Sequence, residues 1–385
     1  MPQHHPDDLR SDFTMASVRI HDTALSRPEG RSDGDGYRVY DVRVREGRIA
    51  GLTPCDHVGA GRQFHLVTPL FFDCHTHLDK GHIWPRSPNP DGTFTGALDS
   101  VGIDRRANWS AHDVEARMEF AMRCAWAYGT KAIRTHLDCV PPQERISWPV
   151  FETVRERWKG RIDLQAACLF GIEQARDETW LQEMALTLRR SAGVLGAVTY
   201  MVPDLDELLD RMFRLSAEHG LALDFHADET DDIAAVSLHR IAAAAARHRH
   251  DGPILVGHCC SLARQPDDLV RATLDQVAHA GISVVSLPMC NLYLQDRRGD
   301  GTTPRWRGVT LLHEMKARGI NVCVASDNTR DPFYAYGDLD MFEVFRMATR
   351  VIQLDHPVAG WPAVTFANPA RAMGVTGGLL DPGMP

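Results

Sequence analysis

The chain has 385 residues, of which 44% are hydrophobic and 24% charged, so its composition excludes a disordered protein, a collagen-like rod and a disulfide-stapled miniprotein. The net charge of −9 comes from 42 Lys and Arg against 51 Asp and Glu, and it argues against a nucleic-acid partner. Nine cysteines without Cys-x-x-Cys spacing indicate reduced thiols. The lack of an apolar signal region and of any apolar run of membrane-spanning length predicts a cytoplasmic protein with no membrane partner.

The first part of the chain predicts a small β-domain. Residues 1–16 are polar, and we expect them to be a disordered tail. Short alternating segments over residues 17–65 are typical of half-buried strands, so this range is predicted to form part of a β-sandwich. The last residues, 376–385, are expected to complete the sandwich only partly. The strand edges left exposed favour self-association into a homo-oligomer.

From residue 66 to residue 375, short apolar runs alternate with amphipathic segments such as 205–219, which ends at Gly220. Eight runs alternating with helices indicate an α/β protein with a (β/α)₈ TIM barrel. The predicted strands are 66–72, 132–135, 163–169, 193–200, 222–225, 253–257, 283–287 and 321–325. A doubly wound open sheet is the alternative, but the chain has no glycine-rich phosphate loop to support it.

Polar residues follow four of these predicted strands. His75 and His77 come after the first strand and are two residues apart, so both imidazoles point the same way and can share one metal ion. The residues after the fifth, sixth and eighth strands are His226 with Glu229, His258, and Asp327. A single histidine at a strand end is more often structural than a ligand. In a barrel, however, all these positions lie on the C-terminal rim, so together they predict an active site with a metal ion.

Five motifs of the chain resemble those of the amidohydrolase superfamily, and within it the cytosine deaminase branch. They are His75–Lys80, Arg134–Asp138, His226–Asp232, Asn291–Arg297 and Ala325–Pro332. The resemblance covers about residues 40–380. It implies an enzyme that acts on the C–N bond of a cyclic amidine. The expected reaction is hydrolytic deamination of an amino-substituted nitrogen heterocycle, which is cytosine-like or larger, such as a pterin, a purine or a triazine.

The resemblance also implies a role for each matching residue. One divalent metal ion, Zn²⁺ or Fe²⁺, is expected to be held by His75, His77, His226 and Asp327. Glu229 would shuttle protons, His258 would polarise the substrate or water, and Asp327 would also act as general base. These roles agree chemically, because a bound metal lowers the pKa of water towards 7 and a nearby carboxylic acid can protonate the ring nitrogen and the leaving ammonia.

The scarcity of lysine favours a single metal ion. Binuclear members of the superfamily use a carboxylated lysine at the end of the fourth barrel strand. The chain has only four lysines, which are Lys80, Lys131, Lys159 and Lys316. None of them lies at the end of the fourth predicted strand.

Departures from the family pattern bear on the substrate. Cytosine deaminases carry a glutamine after the third strand, where an ungapped comparison places Gly171, although a short shift places Glu173 or Gln174 there instead. Asn328 stands where those enzymes often have a second aspartate, so an amide replaces an acceptor-only carboxylate. Phe333 either walls an aromatic substrate or packs under a loop. Gly171, Asn328 and Phe333 are thus the predicted substrate-binding residues, and we expect a heterocycle larger than cytosine.

Two other functions stay open at this stage. A hydrolase of a cyclic amide or of an N-alkylamino heterocycle would use the same metal site and would differ in its product. A barrel that binds a heterocycle without turnover is less favoured, because all four ligands and Glu229 are present. His136 either orients a metal ligand or is a polar group of the core, and Lys80 is expected to form a salt bridge at the rim.

Overall fold

The described residues, 12–55 and 65–385 of a computed structural model, begin with a three-stranded antiparallel sheet. Its strands are β1 (Phe13–His21), β2 (Tyr37–Arg45) and β3 (Arg48–Pro54), hydrogen-bonded in that order. Strand β1 begins inside the segment that the sequence predicts as a disordered tail, because Phe13 pairs with Val44 of β2. The prediction is therefore wrong for residues 13–16, and residues 1–11 lie outside the described part of the chain.

Eight parallel strands follow and confirm the predicted barrel. They are β4 (Phe71–Thr76), β5 (Thr130–Asp138), β6 (Asp163–Leu169), β7 (Leu195–Thr199), β8 (Leu223–Ala227), β9 (Ile254–His258), β10 (Ser283–Ser286) and β11 (Val322–Val324). Strands β4–β6 form one hydrogen-bonded sheet and strands β7–β11 form another. Isolated parallel bridges join the two sheets on both sides, so the strands close into a ring in chain order. Ala167 pairs with Val194 and Gly171 with Val198 on one side, and Thr76 pairs with Asp327 on the other.

The α-helices lie in the connections between the barrel strands and after the last strand. They are α1 (Phe94–Asn108), α2 (Ala111–Ala127), α3 (Glu144–Trp158), α4 (Glu178–Ser191), α5 (Leu205–His219), α6 (Ser237–His248), α7 (Asp267–His279), α8 (Pro288–Leu294), α9 (Leu312–Ala317), α10 (Met341–Ile352) and α11 (Ala367–Met373). Helix α5 has the predicted bounds. It ends at Gly220, whose φ of 64° is the left-handed conformation that glycine adopts without strain. Among residues 12–55 and 65–385, no helix has the length and apolarity needed to cross a membrane.

The first barrel strand begins later than the sequence predicts. Strand β4 covers Phe71–Thr76, whereas the apolar run predicts residues 66–72. The reason is that the start of this run pairs with the small sheet instead: the amide of Val67 donates to the carbonyl of Arg19, and Leu66 forms a parallel bridge with Arg19. The shift places His75 inside the strand rather than after it.

Two apolar cores hold the protein together. The larger one fills the space between the barrel strands and the surrounding helices. The smaller one joins the three-stranded sheet, through residues such as Ile20 and Val42, to barrel residues such as Phe72 and Cys323. The last residues also reach the small sheet, because Gly383 and Met384 exchange backbone hydrogen bonds of 2.8 Å with Ile49 of β3. The division into domains at residue 65 stays a prediction.

Truncation of a core leucine on α5 is expected to test the larger core. Leu209 is fully buried, so Leu209→Ala should lower the free energy of unfolding by about 2–5 kcal/mol through lost burial and a residual cavity. Leu186→Ala on α4 is the matched control, because Leu186 is 46% exposed, and it should change stability by at most about 0.5 kcal/mol. Chemical denaturation of both variants measures the difference, and equal losses would contradict this packing.

Candidate metal centre and active site

The predicted ligands come together at the C-terminal end of the barrel. His75 lies in β4 and His77 directly follows it. His226 is the second-last residue of β8 and His258 is the last residue of β9. Asp327 follows β11. Three of the histidines are thus inside their strands, not after them as the sequence predicts, because the strands extend into the motifs. The common edge of the sheet is the place where barrel enzymes build their sites.

The side chains at this edge form a tight buried cluster. Nε2 of His77 lies 3.2 Å from Nε2 of His226 and 3.2 Å from Oδ1 of Asp327. Nε2 of His75 lies 3.6 Å from the same carboxylate oxygen. All four residues are at most 5% exposed. One of the two facing nitrogens can donate to the other, or both can present lone pairs to a common cation.

This donor set fits a divalent metal ion. Both ring nitrogens of His75 and both carboxylate oxygens of Asp327 are buried without a hydrogen-bond partner among the described residues. Such groups are costly unless something binds them. Ligand atoms of a tetrahedral zinc site, each 2.0–2.2 Å from the metal, lie roughly 3.4 Å apart, which agrees with the separations in the cluster. The residues present therefore fit the ion that the sequence predicts.

Burial sets the protonation of the cluster. Desolvation lowers the pKa of His75, His77 and His226 well below the usual range, so these imidazoles stay neutral and keep a lone pair for a metal. Desolvation also raises the pKa of Asp327 to about 7. A cation in direct contact with this carboxylate would restore its ionised form, because opposite charge favours ionisation.

His136 belongs to the frame of the cluster. Its Nε2 lies 3.0 Å from Oδ1 of Asp224, and its Nδ1 lies 3.3 Å from the carbonyl oxygen of Thr76. Arg134 donates to the other oxygen of Asp224 at 2.9 Å. Both ring nitrogens of His136 thus have protein partners, and its ring packs against that of His75 with centroids 4.1 Å apart. These contacts fix His136 beside His75, and a role in orienting a ligand stays a prediction.

Glu229 and His258 form a second polar group beside the cluster. Oε1 of Glu229 lies 3.2 Å from Nδ1 of His258, and the amide nitrogen of Asn291 lies 3.1 Å from the first atom and 3.0 Å from the second. Burial lowers the pKa of His258, but the Glu229 carboxylate outweighs it and the pKa is raised overall. Nε2 of His258 has no partner among the described residues. Asn291 lies in one of the five motifs, but nothing in the sequence predicts its contact with both groups.

The backbone is strained at two of these residues. His258 has a φ of 69° and Asp327 a φ of 64°, a region that side-chain-bearing residues rarely adopt. The conformation of the second is fixed by its neighbours: the amide of Asp327 donates to the carbonyl of His75 at 2.9 Å, and Ser326 donates to the carboxylate of Asp73. Strain of this kind persists where the surrounding structure over-determines it, which is common at functional sites.

A cavity of about 870 Å³ opens above the cluster. Its lining includes His77, His226, Glu229, His258, Asp327, Asn328, Gly171 and Phe333. Apart from His75, which lies beneath the others, every predicted site residue therefore borders this cavity. Glu173 and Gln174 are not in the lining, and the Glu173 carboxylate instead accepts a 2.7 Å hydrogen bond from Tyr200. Gly171 itself lies at the cavity wall, and its contact with substrate stays a prediction.

Charged groups lie at the wall of the cavity near α1. The Asp138 carboxylate accepts from Lys80 and from Arg105, each at 2.8 Å. Burial raises the pKa of Asp138, but the two cations outweigh it and hold the pKa below the usual range. The salt bridge expected for Lys80 is therefore present. The ammonium of Lys80 also lies 5.5 Å from the centre of the Phe333 ring.

The fold and the site define a barrel hydrolase with a buried donor set for a metal ion at its C-terminal rim. The chain belongs to the amidohydrolase family, whose model matches residues 151–385. A pterin deaminase of Rhizobium rhizogenes is 52% identical over 345 residues, which are 88% of this chain and 79% of that protein. An N-isopropylammelide isopropyl amidohydrolase of Pseudomonas sp. is 22% identical over 329 residues, which are 82% of this chain and 77% of that protein.

Solved structures show the same fold. A 5-methylcytosine deaminase from Klebsiella pneumoniae with bound 5-fluorocytosine superposes with a TM-score of 0.81 at 22% identity, over 97% of this chain and 89% of the other. A guanine deaminase from C. acetobutylicum superposes with a TM-score of 0.62 at 13% identity, over 97% and 89%. The chain is an enzyme of a metal-dependent family, and it deaminates a nitrogen heterocycle by hydrolysis of a C–N bond.

We predict one divalent metal ion per chain, because His77 lies 3.2 Å from both His226 and Asp327, and His75 lies 3.6 Å from Asp327. Elemental analysis of the purified enzyme measures the ratio, and chelation should abolish turnover until a divalent ion is restored. His226→Ala should lose the metal, whereas His112→Ala on the exposed face of α2 should keep it. Two tightly held ions per chain, both needed for turnover, would contradict the assignment.

Proposed function

We propose that this enzyme converts pterin, or a closely related bicyclic amino-heterocycle, to the corresponding oxo compound with release of ammonia. The observation that carries the proposal is the 52% identity, over most of both chains, to a protein named pterin deaminase. The cavity supports it, since its volume is within the range of small-molecule sites and the wall at Gly171 carries no side chain. The volume of the whole cavity is sufficient for two fused rings.

We propose His75, His77, His226 and Asp327 as the ligands of a single divalent ion, Zn²⁺ or Fe²⁺. When bound, this ion supplies a water molecule of lowered pKa and a positive charge beside the reacting carbon. The imidazoles hold the ion without adding charge of their own, because burial keeps them neutral. Asp327 is also proposed to take up the proton of that water, since its carboxylate borders both the donor cluster and the cavity.

Glu229 and His258 are proposed to serve the heterocycle. The Glu229 carboxyl borders the cavity and carries a proton to a ring nitrogen, and then to the departing amino group. The Glu229 carboxylate beside Nδ1 favours the protonated ring of His258, in which Nε2 also carries a proton. This atom has no protein partner, so it is free to donate a hydrogen bond to the substrate or to the attacking water.

Removal of the titratable carboxyl group of Glu229 should lower the rate of catalysis and leave the metal bound. Glu229→Gln keeps the size of the side chain but removes its titratable group, so we expect kcat to fall by at least ~10² at unchanged metal content. Glu183→Gln on the exposed side of α4 is the matched control and should keep full activity. Near-normal turnover by Glu229→Gln would show that this residue is structural.

Cytosine should be a poorer substrate than pterin. We expect a higher kcat/KM for pterin in an ammonia-release assay that compares pterin, cytosine, isoguanine and aminotriazines. The physical reason is that a site must pair its buried polar groups with those of its substrate, and a poorly matched ring leaves some unpaired. A clear preference for cytosine would overturn the proposal. Release of an alkylamine from N-alkylamino substrates, without ammonia release from pterin, would instead support the alternative hydrolase.

A bulky residue at position 171 should test the wall directly. A side-chain carbon added to Gly171 would lie 2.8 Å from the Tyr200 hydroxyl, and Tyr200 itself borders the cavity, so a longer side chain must displace Tyr200 and change the shape of this wall. Gly171→Gln should therefore lower kcat/KM for pterin more than for cytosine. Cytoplasmic location and self-association through the small sheet stay predictions from the sequence.

A further inference from the structure

The amide of Asn328 is held on both of its polar sides. Its nitrogen donates to Oδ2 of Asp331 at 2.8 Å, and its oxygen lies 3.6 Å from the sulfur of Cys290. Asn328 also borders the cavity and directly follows Asp327. The direction in which this amide points therefore decides whether the cavity offers a hydrogen-bond donor or an acceptor beside the donor cluster.

Asp331 is an acceptor-only partner for this amide. It is fully buried, and its Oδ1 accepts the backbone amides of Phe333 at 2.8 Å and Tyr334 at 3.2 Å. Burial raises the pKa of Asp331 to about 6, so the carboxylate is mostly ionised at neutral pH. An ionised carboxylate can accept but cannot donate, so the atom of Asn328 that faces it must be the nitrogen.

The contacts of Cys290 also bear on the orientation of the Asn328 amide. Its sulfur faces two oxygen atoms, the side-chain oxygen of Asn328 at 3.6 Å and the carbonyl oxygen of Phe333 at 3.7 Å. A neutral thiol is a weak hydrogen-bond donor, and both of these neighbours are acceptors. A donor on this side requires an acceptor opposite, and the oxygen of Asn328 meets that requirement.

We propose that Asp331 is a specificity-determining positioning residue, which holds the Asn328 amide so that its oxygen accepts an N–H of the heterocycle. The N–H concerned is the ring N–H next to the carbon that carries the amino group, because Asn328 directly follows Asp327 at the donor cluster. The substrate class is therefore a cyclic amidine with a protonated ring nitrogen at that place. This inference rests on the proposed function for the reaction, but not for the identity of the ring.

Restraint by Asp331 gives a physical reason for an asparagine at position 328 in place of an aspartate. An unrestrained amide could turn either atom towards the substrate. Restrained by Asp331, Asn328 offers an acceptor in the direction where an aspartate would also offer one, but without the negative charge. The site thus keeps recognition of the N–H and avoids two carboxylates in contact, whose mutual repulsion would keep one of them protonated.

An exchange of the two side chains tests the pairing. Asn328→Asp places two carboxylates in contact, and kcat/KM should fall about 100-fold. Adding Asp331→Asn restores a donor facing a carboxylate, with an oxygen still directed to the substrate, and should recover activity to within about 10-fold of the parent. If the nitrogen of Asn328 faced the substrate instead, the double variant would be no better than Asn328→Asp, and that result would overturn the proposal.

A second readout separates positioning from mere stability. The parent should prefer pterin over 3-methylpterin, which lacks the ring N–H. Asp331→Asn should reduce this preference about 10-fold, because the new amide nitrogen faces Asn328 and pairs with its oxygen, which turns the Asn328 nitrogen towards the substrate. Asp331→Asn is nearly isosteric and keeps an oxygen for the backbone amides, so it remains informative if Asn328→Asp does not fold. Asp340→Asn is the control, since this residue also accepts a backbone amide but lies outside the cavity lining.

The two proposals can fail separately. If pterin is not deaminated, the proposed substrate is wrong, and the same variants are measured with the best heterocycle from the ammonia screen and its N-methyl analogue. An unchanged preference in Asp331→Asn, with thermal stability and metal content equal to those of the parent, would overturn the role of Asp331 whatever the ring.

Discussion

The hydrogen bond from the backbone amide of Asp327 to the carbonyl of His75 closes the barrel between its first and last strands. Every distance in the active site depends on this closure, because it brings side chains from opposite ends of the barrel sequence onto one rim. The closure also explains why Asp327 adopts a left-handed backbone. Its amide is committed to the first strand while its carboxylate turns towards the histidines of other strands.

Buried carboxylates form the frame that carries the functional side chains. Asp73 accepts from Ser326 beside a predicted ligand, and Asp224 holds His136 and Arg134. Asp331 holds the loop after the last strand together with Asn328. Each of these carboxylates is costly to bury and is stable only because several donors satisfy it. The functional side chains at the rim are thus positioned by polar contacts below and beside them, while the apolar cores supply most of the stability.

Much of the fold and the site could be predicted from the sequence because the relevant signals are local. The spacing of apolar residues and the positions of glycines are sufficient to predict eight strands and the end of α5 at Gly220. Histidines near the ends of the predicted strands can be identified in the same way. Pairing is not local. The sequence could not show that Leu66 would join Arg19 instead of the barrel, or that Phe13 would extend β1, because both depend on which strand edge is available in the folded protein.

The same limit applies to the polar partners. Asp224, Asn291 and Asp331 are ordinary residues in the sequence, and only their contacts across the barrel give them a role. The proposed metal ligands could be predicted from the sequence because a known motif contains them. The orientation of an amide such as Asn328, in contrast, depends on partners that motifs do not encode.

The small core shared by the three-stranded sheet and the barrel has a consequence for how mutations are tolerated. It contacts the barrel through residues such as Phe72 and Cys323, and the donor cluster lies at the opposite, C-terminal ends of the strands. None of the described residues of the small sheet borders the cavity, so sequence change there is expected to act on the amount of folded enzyme rather than directly on the reacting groups. A lineage can exchange residues there to adapt to temperature while the rim evolves separately towards new heterocycles.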